Sequence, residues 1–171
     1  MMKDTEKILQ TASQLLEQWM WKTEVAHPET NRLDVRLSTV DDLIPIVAGL
    51  RVLRLGYLSA ITGLDPGIEI PDLEVLYHFC IGEAIITLRL NVPRSEGHLP
   101  SLYEIIPSAE SFERELQEMF GIRIDGLRNP SRLYLPDDWP EDVYPLRKDL
   151  DQNKLRSSMN ASVVSAPTST A

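Results

Sequence analysis

The sequence predicts an α+β fold: a small two-layer sandwich of a mostly antiparallel sheet with helices on one face, followed by an extended, proline-rich C-terminal segment. Three observations predict it. Leu73–Ile81 and Ala84–Val92 are long apolar runs separated only by Gly82-Glu83, which reads as an antiparallel hairpin. Residues 31–37 alternate, with Leu33, Val35 and Leu37 against Asp34 and Arg36, as a half-buried strand does. Apolar residues recur at helical spacing over 3–20 and again over 109–120.

Taken in order, residues 3–20 form an amphipathic helix, with Ile8, Leu9, Ala12, Leu15, Leu16 and Trp19 on one face and Glu6, Gln10, Gln14 and Glu17 elsewhere. After the 31–37 strand, Asp41 or Asp42 can cap a helix over about 42–50, where Pro45 is tolerated only in the first turn. That helix ends near Arg51–Arg54. Tyr57–Leu64 is the next strand and closes at Asp65-Pro66-Gly67. The hairpin follows, with Gly82 free to take a positive φ. PRSEGHLPSL reads as a polar loop. The helix over Ala109–Phe120 has Ser108 as its N-cap and Gly121 as its C-terminal stop. Pro130, Pro136, Pro140 and Pro145 then exclude long helices, so extended segments laid on a surface are expected. The domain is expected to span 1–150. Residues 151–171, which end in the uncharged SSMNASVVSAPTSTA, are expected to be a flexible or partner-bound tail.

Composition bounds the chemistry. The chain has 171 residues, of which 43% are hydrophobic and 25% charged, a balance that suits one globular domain. Seventeen basic against 26 acidic side chains leave a net charge of −9, which argues against nucleic acid as a partner. The single cysteine, Cys80, excludes an internal disulfide and any iron–sulfur or thiolate zinc site built from this chain alone. No apolar run approaches the ~18 residues of a membrane span. Charges stand in MMKDTEKILQ where a signal peptide has its apolar core, so a soluble chain is expected, held at any membrane by another subunit. His27, His78 and His98 lack helical metal-ligand spacing. His78 and Cys80 share one strand face and could form a metal pair, but a packed strand histidine is the simpler expectation.

The richest cluster is Glu113-Arg114-Glu115-Leu116-Gln117-Glu118-Met119-Phe120-Gly121. Phe112, Leu116, Met119 and Phe120 make one helical face, with Glu113 and Glu115 on its two flanks. Glu110, Arg114 and Glu118 share the opposite face at a spacing that suits ion pairs. Glu113 and Glu115 could act as acid and base in a cleft, could contact a partner, or could anchor arginines of the following segment, namely Arg123, Arg128, Arg132 or Arg147. Arginine pairing is the expectation. The second cluster, LPDDWPEDVYPLRKD, has Leu135, Trp139, Tyr144 and Leu146 as anchors and Asp137, Asp138, Glu141 and Asp142 ahead of Arg147 and Lys148. It reads either as a loop clipped to its own domain or as a clamp from Trp139 onward that grips another chain.

On these residues the sequence resembles the thirty-kilodalton subunit family of respiratory complex I. The family pattern E-R-E-x-x-D-x-x-G-I stands here as Glu113-Arg114-Glu115-Leu116-Gln117-Glu118-Met119-Phe120-Gly121-Ile122. The family's later arginine, its acidic pair before tryptophan and its P-L-R-K-D are matched by Arg132, by Asp137-Asp138-Trp139 and by Pro145-Leu146-Arg147-Lys148-Asp149. Tyr57–Asp65 and Tyr77-His78-Phe79 resemble the family's strands. The sequence departs where Glu118 replaces the usual aspartate and where Gly126-Leu127-Arg128-Asn129 lacks the family's histidine. The longer link Pro140-Glu141-Asp142-Val143-Tyr144 is more similar to the equivalent subunit of membrane-bound, energy-converting nickel–iron hydrogenases. The resemblance implies a subunit with no cofactor of its own. Its partners would be a large hydrogenase-like (49 kDa-type) subunit, a small iron–sulfur subunit and a ferredoxin-like subunit, which carry the iron–sulfur and, in the hydrogenase branch, nickel–iron centres. Its place would be the cytoplasmic face of a membrane complex that reduces quinone or protons. A stand-alone enzyme using Glu113 and Glu115 is the rival from another class.

Overall fold

The structure, a computed structural model, describes residues 2–19, 23–150, 152, 153, 155 and 156. Helix α1, Met2–Leu16, runs on into a 3-10 turn at Glu17–Trp19. Strands β1 (Thr23–Ala26) and β2 (Arg32–Leu37) lead to a 3-10 turn at Val40–Asp42 and helix α2, Leu43–Val52. Three long strands follow: β3 (Tyr57–Leu64), β4 (Asp72–Ile81) and β5 (Ala84–Pro93). A short strand β6 (His98–Pro100), helix α3 (Ala109–Phe120) and a short strand β7 (Arg123–Asp125) complete the regular elements. Of the expected tail, only residues 152, 153, 155 and 156 are among those described, so the rest of that expectation lies outside them.

Five strands form one sheet in the order β1-β2-β5-β4-β3, with only β2 and β5 parallel. Register places Val35, Leu88, Tyr77 and Ile61 in one row across the sheet, all on the buried face. The α+β expectation therefore holds, because the alternation in each strand puts every apolar set on the same side. Helices α1 and α3 pack against strands of this sheet, and Leu15 of α1 meets α2 at Gly49. The opposite face is polar. There Arg36 and Arg89 share Glu74 at 2.9 and 3.2 Å, half-exposed pairs worth about 0–1 kcal/mol each, which fix register more than they stabilise.

Two capping details add to the expectation. Asp42 is the N-cap residue of α2, as expected, though without a side-chain cap bond, and Thr39 caps the preceding 3-10 turn by accepting the amide of Asp41 with its side chain. Ser108 occupies the N-cap of α3 without a side-chain bond, because the amides of Ala109 and Glu110 already reach the carbonyls of Ile106 and Pro107. Strands β1, β6 and β7 were not expected. They have three or four residues each, and β1 is an edge strand whose residues are mostly exposed, so no apolar alternation announces it. Arg54 closes the end of α2 in the left-handed region at φ 54°, which costs a residue with a Cβ roughly 1–2 kcal/mol.

Helix α3 lies so close on β3 that a Cβ at Gly63 would sit 2.4 Å from the Phe120 ring. Gly63→Val should therefore destabilise the chain by about 1–3 kcal/mol in urea unfolding, the cost of overpacking. Thr62→Val, one residue along on the exposed side, should stay within about 0.5 kcal/mol.

Candidate functional site

The two motif clusters meet. Two charged residues on the outward face of α3, Arg114 and Glu118, direct their hydrogen bonds at the segment after β7, mainly at its backbone. Arg114 donates to the carbonyls of Ser131 and Arg132 at 3.0 and 2.8 Å and to the Ser131 hydroxyl at 3.0 Å. One turn later, Glu118 accepts the amides of Leu133, Tyr134 and Leu135 at 3.1, 2.8 and 3.1 Å. A strap thus runs along α3 in the helix's own direction, carbonyls over the cation and amides over the anion. The expected i, i+4 pairing of Arg114 with its glutamate neighbours gives way to these bonds, since a charged group bonded to backbone is stabilised more than an exposed ion pair.

The strap then turns back over the helix end. Arg132 donates to the Trp139 carbonyl at 2.7 Å, and the Trp139 indole donates to the Val143 carbonyl at 2.8 Å, closing residues 132–143 into a compact loop. Tyr144 lies on Gly121, where a Cβ would come within 2.4 Å of its ring; Gly121 also needs the left-handed φ of 69° to end α3. Pro145 is half-buried beside it. The Leu146 amide reaches the Met119 carbonyl at 3.2 Å while its side chain stays 52% exposed. Arg147 stacks on the Tyr144 ring at 4.8 Å, donates to the Phe120 carbonyl at 2.6 Å, and reaches the Arg94 carbonyl. It thereby neutralises a carbonyl left orphan at the end of α3.

The strap ends on a buried ion pair. Asp65 and Arg94 meet through two bonds of 2.6 Å, and Asp65 also accepts the amides of Gly67 and Lys148 at 2.9 and 2.8 Å. Asp149 stands 3.6 Å from the same guanidinium. The Arg94 fork, with burial opposing it and the two amides helping, holds the Asp65 carboxyl far below the usual range; Asp65 in turn raises Arg94. The sequence reading missed both residues. The only signal was Asp65-Pro66-Gly67 as a turn, and Arg94 was passed over inside a polar loop.

Among the described residues, Glu113 and Glu115 do not pair with arginines. Glu113 is buried at the foot of α3 and accepts the Leu102 amide and the Ser101 hydroxyl at 2.5 and 2.7 Å. It ties the helix to the residues just after β6, and burial pushes its carboxyl above the ordinary value despite these two donors. The Leu102 amide and the Ser101 hydroxyl take up its two oxygens in place of the expected arginine. Glu115 is half-buried and makes no ion pair among the described residues, and Asp138 is exposed without one. Of the two carboxylates that a catalytic reading would use, Glu113 is buried against Leu102 and Ser101. Between α3 and the strap a cleft of about 160 Å³ remains, lined by Arg114, Glu118, Arg132, Trp139 and Tyr144. That is small beside the ~300–1,000 Å³ of ordinary ligand pockets, and Arg114, Glu118 and Arg132 in its lining are already bonded to backbone. The His78 ring bonds the Thr87 hydroxyl at 3.2 Å, and no group of three His, Cys, Asp or Glu side chains among the described residues is placed to hold a metal ion. No helix among them is long and apolar enough to cross a membrane.

Residues 35–156 match the family described as "Respiratory-chain NADH dehydrogenase, 30 Kd subunit". The chain is 37% identical over 115 residues to an NADH-quinone oxidoreductase subunit of Saccharopolyspora erythraea, a match covering 64% of this chain and 45% of that protein. It is 41% identical over 113 residues to formate hydrogenlyase subunit 5 of Escherichia coli, covering 64% of this chain and 20% of that one. Hydrogenase-4 component G of Escherichia coli is 33% identical over 132 residues, covering 75% of this chain and 23% of that one. The chain thus spans less than half the length of these curated relatives. Among solved structures, a chain of an archaeal membrane-bound sulfane sulfur reductase aligns with a TM-score of 0.69 at 23% identity, covering 97% of each chain. A trypsin-resistant fragment of Nqo5 aligns at 0.57 and 22% identity, covering 75% of this chain and 99% of the fragment. Both share the fold.

Two outcomes test the site. Asp65 titrates lower folded than unfolded, so its stabilisation is present above about pH 4 and is lost as pH falls through the folded value. Asp65→Asn should cost about 1–3 kcal/mol at pH 7, by leaving the half-buried Arg94 and the Lys148 amide without their charged acceptor, and should flatten stability below pH 4. Glu113 has the opposite sign: its favourable contribution is present below about pH 4 and lost as pH rises through its raised folded value. Glu113→Gln, neutral and able to accept the Leu102 amide, should match or exceed wild-type stability at pH 7. Glu113→Ala should lose about 1–3 kcal/mol by orphaning that amide. Chemical unfolding across pH 3–8 reads both.

Proposed function

The chain belongs to the respiratory-chain NADH dehydrogenase 30 kDa subunit family, and from that premise we propose that it is a non-catalytic, hydrophilic subunit of a membrane-bound, complex I-related oxidoreductase of the energy-converting nickel–iron hydrogenase type. It packs on the large catalytic subunit and supports electron transfer coupled to ion translocation. It sits peripherally on the cytoplasmic face, alongside a small iron–sulfur and a ferredoxin-like subunit. In this proposal the iron–sulfur and nickel–iron centres belong to those partners, and this chain contributes none. The observation that carries the reading is that the motif side chains Arg114, Glu118, Arg132 and Arg147 are bonded to the chain's own backbone. Groups so engaged shape a surface; they do not transfer protons. The outer side of the strap, where Tyr134 and Leu146 are 64% and 52% exposed, is the face the proposal gives to the large subunit.

A relative named for formate hydrogenlyase and one named for hydrogenase-4, together with the Trp139–Arg147 link, favour the hydrogenase branch. The relative named for NADH-quinone oxidoreductase supports the second reading, a quinone-reducing complex.

Affinity purification of the tagged chain from detergent-solubilised membranes of its own host tests both. The proposal expects a large subunit carrying stoichiometric nickel and hydrogen-evolving activity. Nickel-free material with quinone reductase activity would select the second reading. A chain that elutes without a large subunit would remove both.

A further inference from the structure

At the end of β3 away from the strap, Val52, Leu53 and Tyr57 are 79%, 46% and 67% exposed. Tyr57 stands between two contiguous clefts. One, of about 330 Å³, is floored by Leu58, Phe79, Ile106 and Pro107; the other reaches Cys80 and Ile81 at the tip of the hairpin. Arg51 borders both and Arg54 borders the second. Neither guanidinium has an ion-pair partner among the described residues, and no carboxylate lines either cleft. On a chain of net charge −9 this is a cationic rim around an apolar floor. Arg54 takes its left-handed φ as the closing residue of α2, where its own amide bonds the Arg51 carbonyl and the Leu55 amide bonds the Leu50 carbonyl.

We propose that this end is a second docking surface, and that its occupant is a segment of a partner subunit carrying one large apolar side chain flanked by aspartate or glutamate. The inference rests on the subunit role proposed above and adds a contact to it. The apolar side chain enters the cleft beside Tyr57, and the carboxylates meet Arg51 and Arg54. Tyrosine and arginine at the edge of a desolvated pocket are the residue types that dominate interface energetics. The other occupants of such a groove fit less well: a second copy of this chain would bring its own arginines against these, and nucleic acid would find a rim of two cations in a strongly acidic chain. The surface is separate from the strap, since the eight residues of β3 hold Tyr57 roughly 23 Å from Leu64, at ~3.3 Å per residue.

The experiment places a photo-crosslinking benzoylphenylalanine at Tyr57, and separately at Tyr134 on the strap, in the full tagged chain expressed in its host. Membranes are irradiated and crosslinked peptides identified by mass spectrometry. The proposal expects position 57 to capture one partner peptide with an acidic residue within a few positions of a large apolar one. The double variant Arg51→Glu, Arg54→Glu should reduce that capture about tenfold, and Arg51→Lys, Arg54→Lys should keep most of it. Arg54→Gly relieves the backbone, so it should raise the unfolding midpoint of the isolated chain and still weaken capture, which separates binding from folding. Capture at 134 but not at 57, capture of lipid or of a second copy, or capture indifferent to charge reversal would overturn this inference and leave the subunit reading standing. Absence of partner peptides from both positions would overturn both.

Discussion

The Glu118 carboxylate accepts three consecutive amides, and the chain beyond β7 is organised around that contact. Residues 126–150 contain no helix or strand, so their backbone groups have no ladder of their own to join. Arg114 supplies donors to their carbonyls and Glu118 acceptance of their amides, in the order in which the strap passes α3. Arg147 and the Asp65–Arg94 pair then fix the far end. A charged side chain does this better than a neutral one, because a charge-assisted bond to backbone is roughly twice as strong and needs no partner charge to be buried with it.

The same constraint explains the two sequence clusters. They are the two halves of one contact: Glu113 to Gly121 provides the helix face, and Arg132 to Asp149 the segment laid on it. Glu113 looks inward to Ser101 and Leu102, Arg114 and Glu118 look outward to the strap, and Gly121 leaves room for Tyr144. Substituting glutamate for the family's aspartate at 118 is compatible with this arrangement, since all three amides lie within 3.1 Å of its oxygens.

The main strands and α3 were legible because burial on one face imposes a period on the residues. The helix over Ala109–Phe120 has the bounds its Gly121 stop announces. Short strands carried no such period, and β1, β6 and β7 went unread. The site was half legible. Composition and spacing marked Glu113, Arg114 and Glu118 as residues with a task, but assigned them arginine and ion-pair partners, whereas the structure gives them backbone amides and carbonyls. Backbone partners leave no residue type in the sequence to find. Asp65 and Arg94 lie 29 residues apart, and nothing local ties them together. The aromatic and arginine content of the strap reads alike for a loop packed on its own domain and for a clamp on another chain. The structure shows the first, and its exposed Tyr134 and Leu146 leave room for the second.

Helix α3 bonds the strap through side chains of this same chain, and the rest of the site depends on those bonds. Amide hydrogen exchange on the isolated chain tests this most directly. Leu133, Tyr134 and Leu135 lie in a segment with no secondary structure, so without Glu118 their amides should exchange at nearly the rate of an unfolded peptide. The predicted result is protection of these three amides in the wild-type chain and its loss in Glu118→Ala, with the β4–β5 amides unchanged in both. Unprotected amides at 133–135 in the wild-type chain would contradict it.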